Sequence, residues 1–290
     1  MIIGESFKKT YKSKLFRWFS GSVGALNVIL LVGKNYFELP LQLSIVIGVC
    51  AILGLFLIVF LYFLLNTALK YYLRKRKESL YGEAIIYLKD SFGKIHFLRK
   101  DDNLNEETLK IALSFFCEQL KIFFDKKTKS KCSVSIKVFR NITDHENAAN
   151  AKLYNLCRNK DAQYRDTDDY KAQNHSVFNN SCFINILTKI TSGKPSSSLF
   201  YANNDLENTR DYQNTSWSIH QLKNKKDPWK LPYRSELVVP IISIESKNPL
   251  IGFICVDSDE TEVFHEKYDS ALMQGVADGI YDLIYKVCFN

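Results

Sequence analysis

Arg158, Arg165 and Arg234 are the residues of this 290-residue chain best suited to holding an anion. A guanidinium forms paired hydrogen bonds to a phosphate or carboxylate. The three arginines flank predicted sheet elements, so they can converge although they are far apart in sequence. Phe183 and Tyr233 supply aromatic faces that could stack on a base. The expected ligand is an anionic small molecule, with a nucleotide as one form of it. The surrounding RNKDAQYRDTDDY (Arg158 to Tyr170), Asn179, Asn180 and ANNDL (Ala202 to Leu206) mix cationic, carboxamide and acidic groups around short apolar runs. The competing reading is that the arginines neutralise Asp161, Asp166, Asp168 and Asp205 in loop salt bridges.

Other chemistries fail on their own geometry. A phosphate loop at Ser192-Gly193-Lys194 lacks its first glycine, because Thr188 stands there, and Pro195 replaces the magnesium-binding hydroxyl. His96-Phe97-Leu98-Arg99 has the look of a phosphoacceptor box, but no glycine-rich ATP-binding segment follows it. Asp166, Asp168 and Asp169 lack the glycine and terminal glutamate of a calcium loop. His145, His175, His220 and His265 share no metal-ligand spacing, and no Gly-x-Ser-x-Gly turn occurs. No enzyme activity, cofactor or metal is expected.

What must position such a site is partly in a membrane. The run from Leu39 to Leu69 is uncharged, and Leu41 to Leu69 as a helix is roughly 43 Å long at about 1.5 Å per residue. That exceeds a hydrocarbon core of about 30 Å and predicts a tilted span. A fainter span runs from Phe16 to Gly33, and the short turn Lys34 to Pro40 makes the two a hairpin. Lys8, Lys9, Lys12, Lys14 and Arg17 precede the first span, and Lys70, Arg74, Lys75, Arg76 and Lys77 follow the second. The positive-inside rule then places both termini in the cytoplasm of a two-span cell-membrane protein. These ten cations more than account for the formal charge of +8, which argues against nucleic acid as a partner and for anionic lipid head groups. Ser20 with Gly24, Gly21 with Ala25 and Ser44 with Gly48 are small-xxx-small pairs, so the spans are expected to self-associate into a homo-oligomer. Seven cysteines without a CxxC pair read as reduced cytosolic thiols.

The remainder divides into a helical stalk over 70 to 104, with a break expected at Asp90 to Gly93, and a domain over 105 to 290. Residues 1 to 15 form the basic cytoplasmic N-terminus and 16 to 69 the hairpin. Asn103 or Asn105 caps a helix in which Leu109, Leu113, Phe116, Leu120 and Phe123 recur at helical spacing. CSVSIKVF (Cys132 to Phe139) alternates like a strand. Lys152 to Cys157 and Ser198 to Tyr201 are short candidate strands, and Ser181 to Ile190 reads as a helix. Glu236 to Ile244 and Leu250 to Val256 form a hairpin, and Phe264 to Val287 is a closing helix. This order predicts an α+β domain with an antiparallel sheet covered by helices.

YRSELVVPI (Tyr233 to Ile241), IGFICVDS (Ile251 to Ser258), then Phe264, Asp269 and an apolar helix through Leu272, Val276 and Ile280 resemble the C-terminal half of a GAF domain. Residues 105 to 230 are compatible with the rest. The resemblance implies a sensory module that binds a small molecule or dimerises, with its ligand over the open face of the sheet. The Asn-Lys-Phe-Asp-Glu signature of cyclic-nucleotide-binding members is absent, since Phe264 is followed by His265 to Asp269 and then Ser270. Nor do Cys157, Cys182 and Cys255 suggest the reductase or chromophore-bearing variants. The expected function is a membrane-anchored cytoplasmic sensor without catalysis that couples a ligand or partner to the hairpin. The alternatives are a nucleotide-activated membrane-disrupting effector and an adaptor that tethers a cytosolic partner.

Overall fold

The structure, a computed structural model, describes residue 24 and residues 41–101, 103–140, 151–165, 175–215, 229, 231–242 and 250–289. The chain divides into two units, Met1–Leu80 and Tyr81–Asn290. The span expected over Phe16 to Gly33, with Ser20, Gly21 and Ala25, lies outside the described residues apart from the helical Gly24. So do the turn Lys34 to Pro40 and the basic N-terminus.

Helix α1 (Leu41–Arg99) contains Ser44 and Gly48. Among the described residues it is the one helix long and apolar enough to cross a membrane, and none of its most apolar stretch is buried within the chain. Leu53, Phe56, Leu57 and Leu65 are more than half exposed, which in water would be an unstable arrangement for so contiguous an apolar surface.

From Tyr81 onward the residues of α1 belong to the second unit. Ala84, Leu88, Ile95 and Leu98 are buried, at spacings that keep one helical face inward. The break expected at Asp90 to Gly93 is not present, and the helix runs through unbroken. The buried stripe continues across it, and the ring of Phe92 packs edge-on against Phe116 at 5.1 Å. Gly279 faces that ring so closely that a Cβ there would lie 2.7 Å from it. The stretch read as a stalk is thus, over its second half, a core helix of the domain.

Helix α2 (Glu106–Thr128) starts where Asn105 accepts a hydrogen bond from the Thr108 amide, the expected capping geometry. It stops at Lys129, which takes the left-handed conformation with φ 59°. The strands are β1 (Cys132–Phe139), β2 (Lys152–Arg158), β3 (His175–Ser176), β4 (Tyr201–Asn203), β5 (Ser235–Ile241) and β6 (Gly252–Ser258). A 3₁₀ turn (Lys160–Arg165) follows β2, α3 (Ser181–Thr191) precedes β4, and α4 (Glu266–Cys288) follows β6. The sheet order is β3-β2-β1-β6-β5-β4, with every pairing antiparallel. The first and last long strands are therefore central neighbours. Gly252 is required at their junction, because a Cβ there would sit 2.1 Å from the Lys137 carbonyl oxygen.

Strand alternation sends Val134, Ile136, Val138, Leu237, Val239, Ile254 and Val256 to one face, where they pack with α2, α4 and the Tyr81–Leu98 part of α1. The other face carries Phe139, Leu153, Val238 and Phe253 against Cys182, Phe183, Ile186 and Leu187 of α3.

One buried carboxylate fastens three helices. Asp269 of α4 is fully buried and accepts hydrogen bonds from Lys127 Nζ of α2, from Tyr81 OH of α1 at 2.8 Å and from the His265 amide at 2.7 Å. Burial and the Asp269 charge push the Tyr81 phenol well above its ordinary range.

Two outcomes follow. Replacing Asp269 by Asn leaves the half-buried Lys127 cation without its carboxylate, which should cost about 1–3 kcal/mol and is read in chemical unfolding of the full chain in detergent. A fragment of residues 81–290 should unfold cooperatively without detergent. Removal of residues 81–99 as well should abolish that transition, by exposing the core that Ala84, Leu88, Ile95 and Leu98 cover.

Candidate ligand-binding site

The second face of the sheet is where alternation and burial conflict. On β1, Ser133, Ser135 and Lys137 alternate with apolar residues, yet every residue of the strand is buried. The register sets Ser133 opposite Asp257 and Asp257 opposite Glu236 in one row. Arg158, Ser135 and Cys255 share the next. Polar side chains that an open sheet would give to water here line a cavity of about 50 Å³. Cys182 and Phe183 from the first turn of α3 form its roof with Asn180, and Arg165 of the 3₁₀ turn, Asn214 and Tyr233 complete the wall.

The wall residues hold one another. Asn180 Nδ2 donates to the Ser176 carbonyl at 2.6 Å while its Oδ1 accepts from the Thr215 amide at 3.1 Å. Asn214 Nδ2 donates to the Tyr233 and Tyr212 hydroxyls at 2.8 and 3.0 Å, and Trp229 Nε1 donates to the Tyr233 carbonyl at 2.6 Å. Leu206, Tyr212, Trp229, Leu231 and Tyr233 make a small apolar cluster behind this wall.

Five charged residues line the cavity. Arg165 donates to both oxygens of Asp257, at 2.9 and 3.3 Å. Burial opposes the Arg165 charge, but the Asp257 carboxylate outweighs it and pushes the guanidinium up. Lys137, Arg158 and Glu236 are only 9%, 4% and 5% exposed, a level at which ionisable side chains are rare. The Glu236 carboxyl is pushed up to about 8, chiefly by burial and also by Asp257, against the lowering effects of Tyr212, Cys182 and Lys137. Its Oε1 has no hydrogen-bond partner among the described residues. Burial also pushes the thiols up, Cys255 to about 12 and Cys182 well above its ordinary value, so neither is a thiolate nucleophile near neutral pH.

Of the residues read from the sequence, Arg158, Arg165, Phe183 and Tyr233 line this one cavity. Arg234 does not: its Nε lies 3.4 Å from Glu207 on the outer surface. The aromatic faces have occupants of their own, since Phe183 stacks on Phe253 at 4.6 Å and Tyr233 lies under the Arg165 guanidinium at 5.6 Å. The two described loop acids are partnered differently from the competing reading. Asp161 pairs with Lys121 at 3.2 Å and Asp205 accepts from Asn208, while Asp166 and Asp168 lie outside the described residues. Sequence reasoning missed Lys137, Glu236 and Asp257. The available signal was one ionisable residue on each of three otherwise apolar, strand-forming segments.

Among the described residues no group of His, Cys, Asp and Glu is arranged to hold a metal ion. No family model and no curated protein matches the chain. Solved structures similar to it include a GAF domain (16% identity over 71% of this chain and 88% of that one, TM-score 0.40). Another is the GAF domain of an Acinetobacter phosphoenolpyruvate-protein phosphotransferase (9%, 70% and 95%, TM-score 0.39). A third is the type II free methionine-R-sulfoxide reductase of Thermoplasma acidophilum (18%, 62% and 95%, TM-score 0.39).

The elevated carboxyl has a measurable consequence. Between its ordinary value of 4.5 and about 8, folded Glu236 holds a proton that the unfolded chain releases, so stability falls as pH rises through that window. Every tenfold difference in proton affinity between the folded and unfolded chain is worth about 1.4 kcal/mol. Thermal unfolding of the full chain at pH values spanning this window should show the fall, and Glu236→Gln should flatten it.

Proposed function

We propose that this chain is a membrane-anchored sensor without catalytic activity, in which a GAF-like domain facing the cytoplasm takes a small anionic molecule into the chamber over its sheet. The observation that carries this reading is the burial of Lys137 and Arg158 around one small cavity. A lysine and an arginine lining one closed chamber offer charge-assisted donors to a small anion. At about 50 Å³ the chamber has room for a few waters at roughly 10–15 Å³ each, hence for a ligand group of a few heavy atoms. A nucleotide would enter only with displacement of α3. The inert thiols support a binding role over catalysis.

The membrane part of the proposal rests on the apolar stretch of α1 and on the charge pattern of the sequence. Two spans, both termini in the cytoplasm and self-association through the small-residue pairs complete it. Ligand occupancy acts on the domain, and α1, whose later residues pack in the domain core, is the covalent route to the bilayer.

The test is a thermal-shift screen of the full chain in nanodiscs against small carboxylates, inorganic phosphate, mononucleotides and amino acids. A stabilising ligand is expected. Arg158→Ala should weaken it about tenfold to a hundredfold, the equivalent of one charge-assisted hydrogen bond, and Arg234→Ala should leave it unchanged. Absence of any stabilising compound, or indifference of every hit to Arg158→Ala, would remove this reading.

A further inference from the structure

The outer face of the helical layer carries large apolar side chains that stand uncovered among the described residues. Ile86 and Phe97 of α1 and Ile111 of α2 are 71%, 74% and 68% exposed. Phe97 and Ile111 line one groove of about 660 Å³ between the two helices, together with Phe115. These four side chains present on the order of 500 Å² of apolar surface, the size of the largest patch on an ordinary monomer. Each partner in a standard protein–protein interface buries about 800 Å², so the patch can supply more than half of one side.

Two glycines lie on the same face. At about 100° per residue, Gly82, Ile86, Gly93 and Phe97 fall within about 60° of one another around α1. Glycine weakens a helix interior, and the packing of the described residues calls for neither, because a Cβ at Gly82 or Gly93 would meet nothing within 4 Å. The close approach of a second backbone does call for them.

Charge selects the occupant. On this face Lys94 is held over the Phe115 ring at 3.4 Å, and Lys126 pairs with Glu83. That leaves Lys89 and Asp90, both lining the groove and in no ion pair among the described residues. Anionic lipid would call for a basic surface of one sign, and a charged partner for an excess of one sign. One cation beside one anion is instead self-complementary. Across a two-fold axis Lys89 of each copy meets Asp90 of the other, as an isologous contact requires.

We propose that this face of α1 and α2 is an interface between two copies of the chain, with the Gly82-Ile86-Gly93-Phe97 stripes of the two α1 helices at its centre. It is separate from the small-residue pairs of the spans and requires no ligand. The membrane anchorage proposed above aids it, by holding copies at high local concentration and running α1 in the same direction in both.

The experiment uses the full chain in detergent and in cell membranes. Sedimentation equilibrium in detergent should show a dimer, and Ile86→Glu with Phe97→Glu should raise its dissociation constant at least about tenfold. Lys89→Asp should weaken the dimer about threefold, and Lys89→Asp with Asp90→Lys should restore it, a rescue that a misfolded variant would not give. In membranes, benzoylphenylalanine in place of Phe97 should photo-crosslink chain to chain. In place of Phe178, which is 61% exposed elsewhere on the domain, it should not. A monomer, or a dimer indifferent to both sets of substitutions, overturns the inference. So do crosslinks from position 97 that go only to lipid, to another protein or within one chain. A dimer broken by Ser44→Ile with Gly48→Ile but not by the α1 substitutions removes this interface and leaves association of the spans. Ligand binding in the chamber is scored separately and is untouched by any of these results.

Discussion

The constraint on which the rest depends is that a six-stranded antiparallel sheet has both faces covered. An antiparallel sheet ordinarily buries one face and gives the other to water, which is why its strands alternate. Here β1 keeps the alternation but loses the water. α2, α4 and the later part of α1 cover the apolar face, and α3 with the wall around Tyr233 covers the other. Ser135, Lys137 and Glu236 are thereby converted from surface residues into lining residues. The chamber is a consequence of this layering together with Arg165, Asn214 and Tyr233, which close its wall from the connecting segments.

The helical layer is held by a different device. Asp269 collects donors from α1, α2 and its own N-terminal turn, so the three helices share one carboxylate. A buried ion pair of this kind contributes little net stability relative to apolar packing, but its partial removal is expensive. Tyr81 is the first residue of α1 in the second unit, so the hydroxyl contact marks where that helix joins the domain.

The two faces have different demands. The helical side is apolar and close-packed, with ring contacts such as Phe92 on Phe116 and Phe124 on Phe264. It resists change because cores are packed like solids. The chamber side concentrates ionisable groups whose balance depends on what fills it: one carboxylate is compensated by Arg165, and one carboxyl is compensated by its own proton. A site so balanced responds to charge more than to shape, which suits the sensor role proposed above.

Much of the domain was legible in the sequence. Asn105 before a helical repeat, the alternation of CSVSIKVF, the paired runs ELVVPIISI and LIGFICV and the amphipathic close from Phe264 correspond to α2, β1, β5, β6 and α4 within a few residues, because period and caps are local properties. The apolar run of α1 is likewise a matter of composition. Locally, Asp90 to Gly93 looks like a break; its continuation as helix was decided by the Ala84 to Leu98 stripe finding a core to pack on. Arginine, phenylalanine and tyrosine side chains suggested an anion site, but sequence could not sort Arg158 and Arg165 from Arg234, because which side of the sheet a residue at or beyond a strand end faces is set by the chain path. Glu236 and Asp257 were illegible as a pair. They are 21 positions apart in the chain and become direct neighbours only through the β5–β6 register. Their divergent states arise from burial and from Arg165, which no local pattern contains.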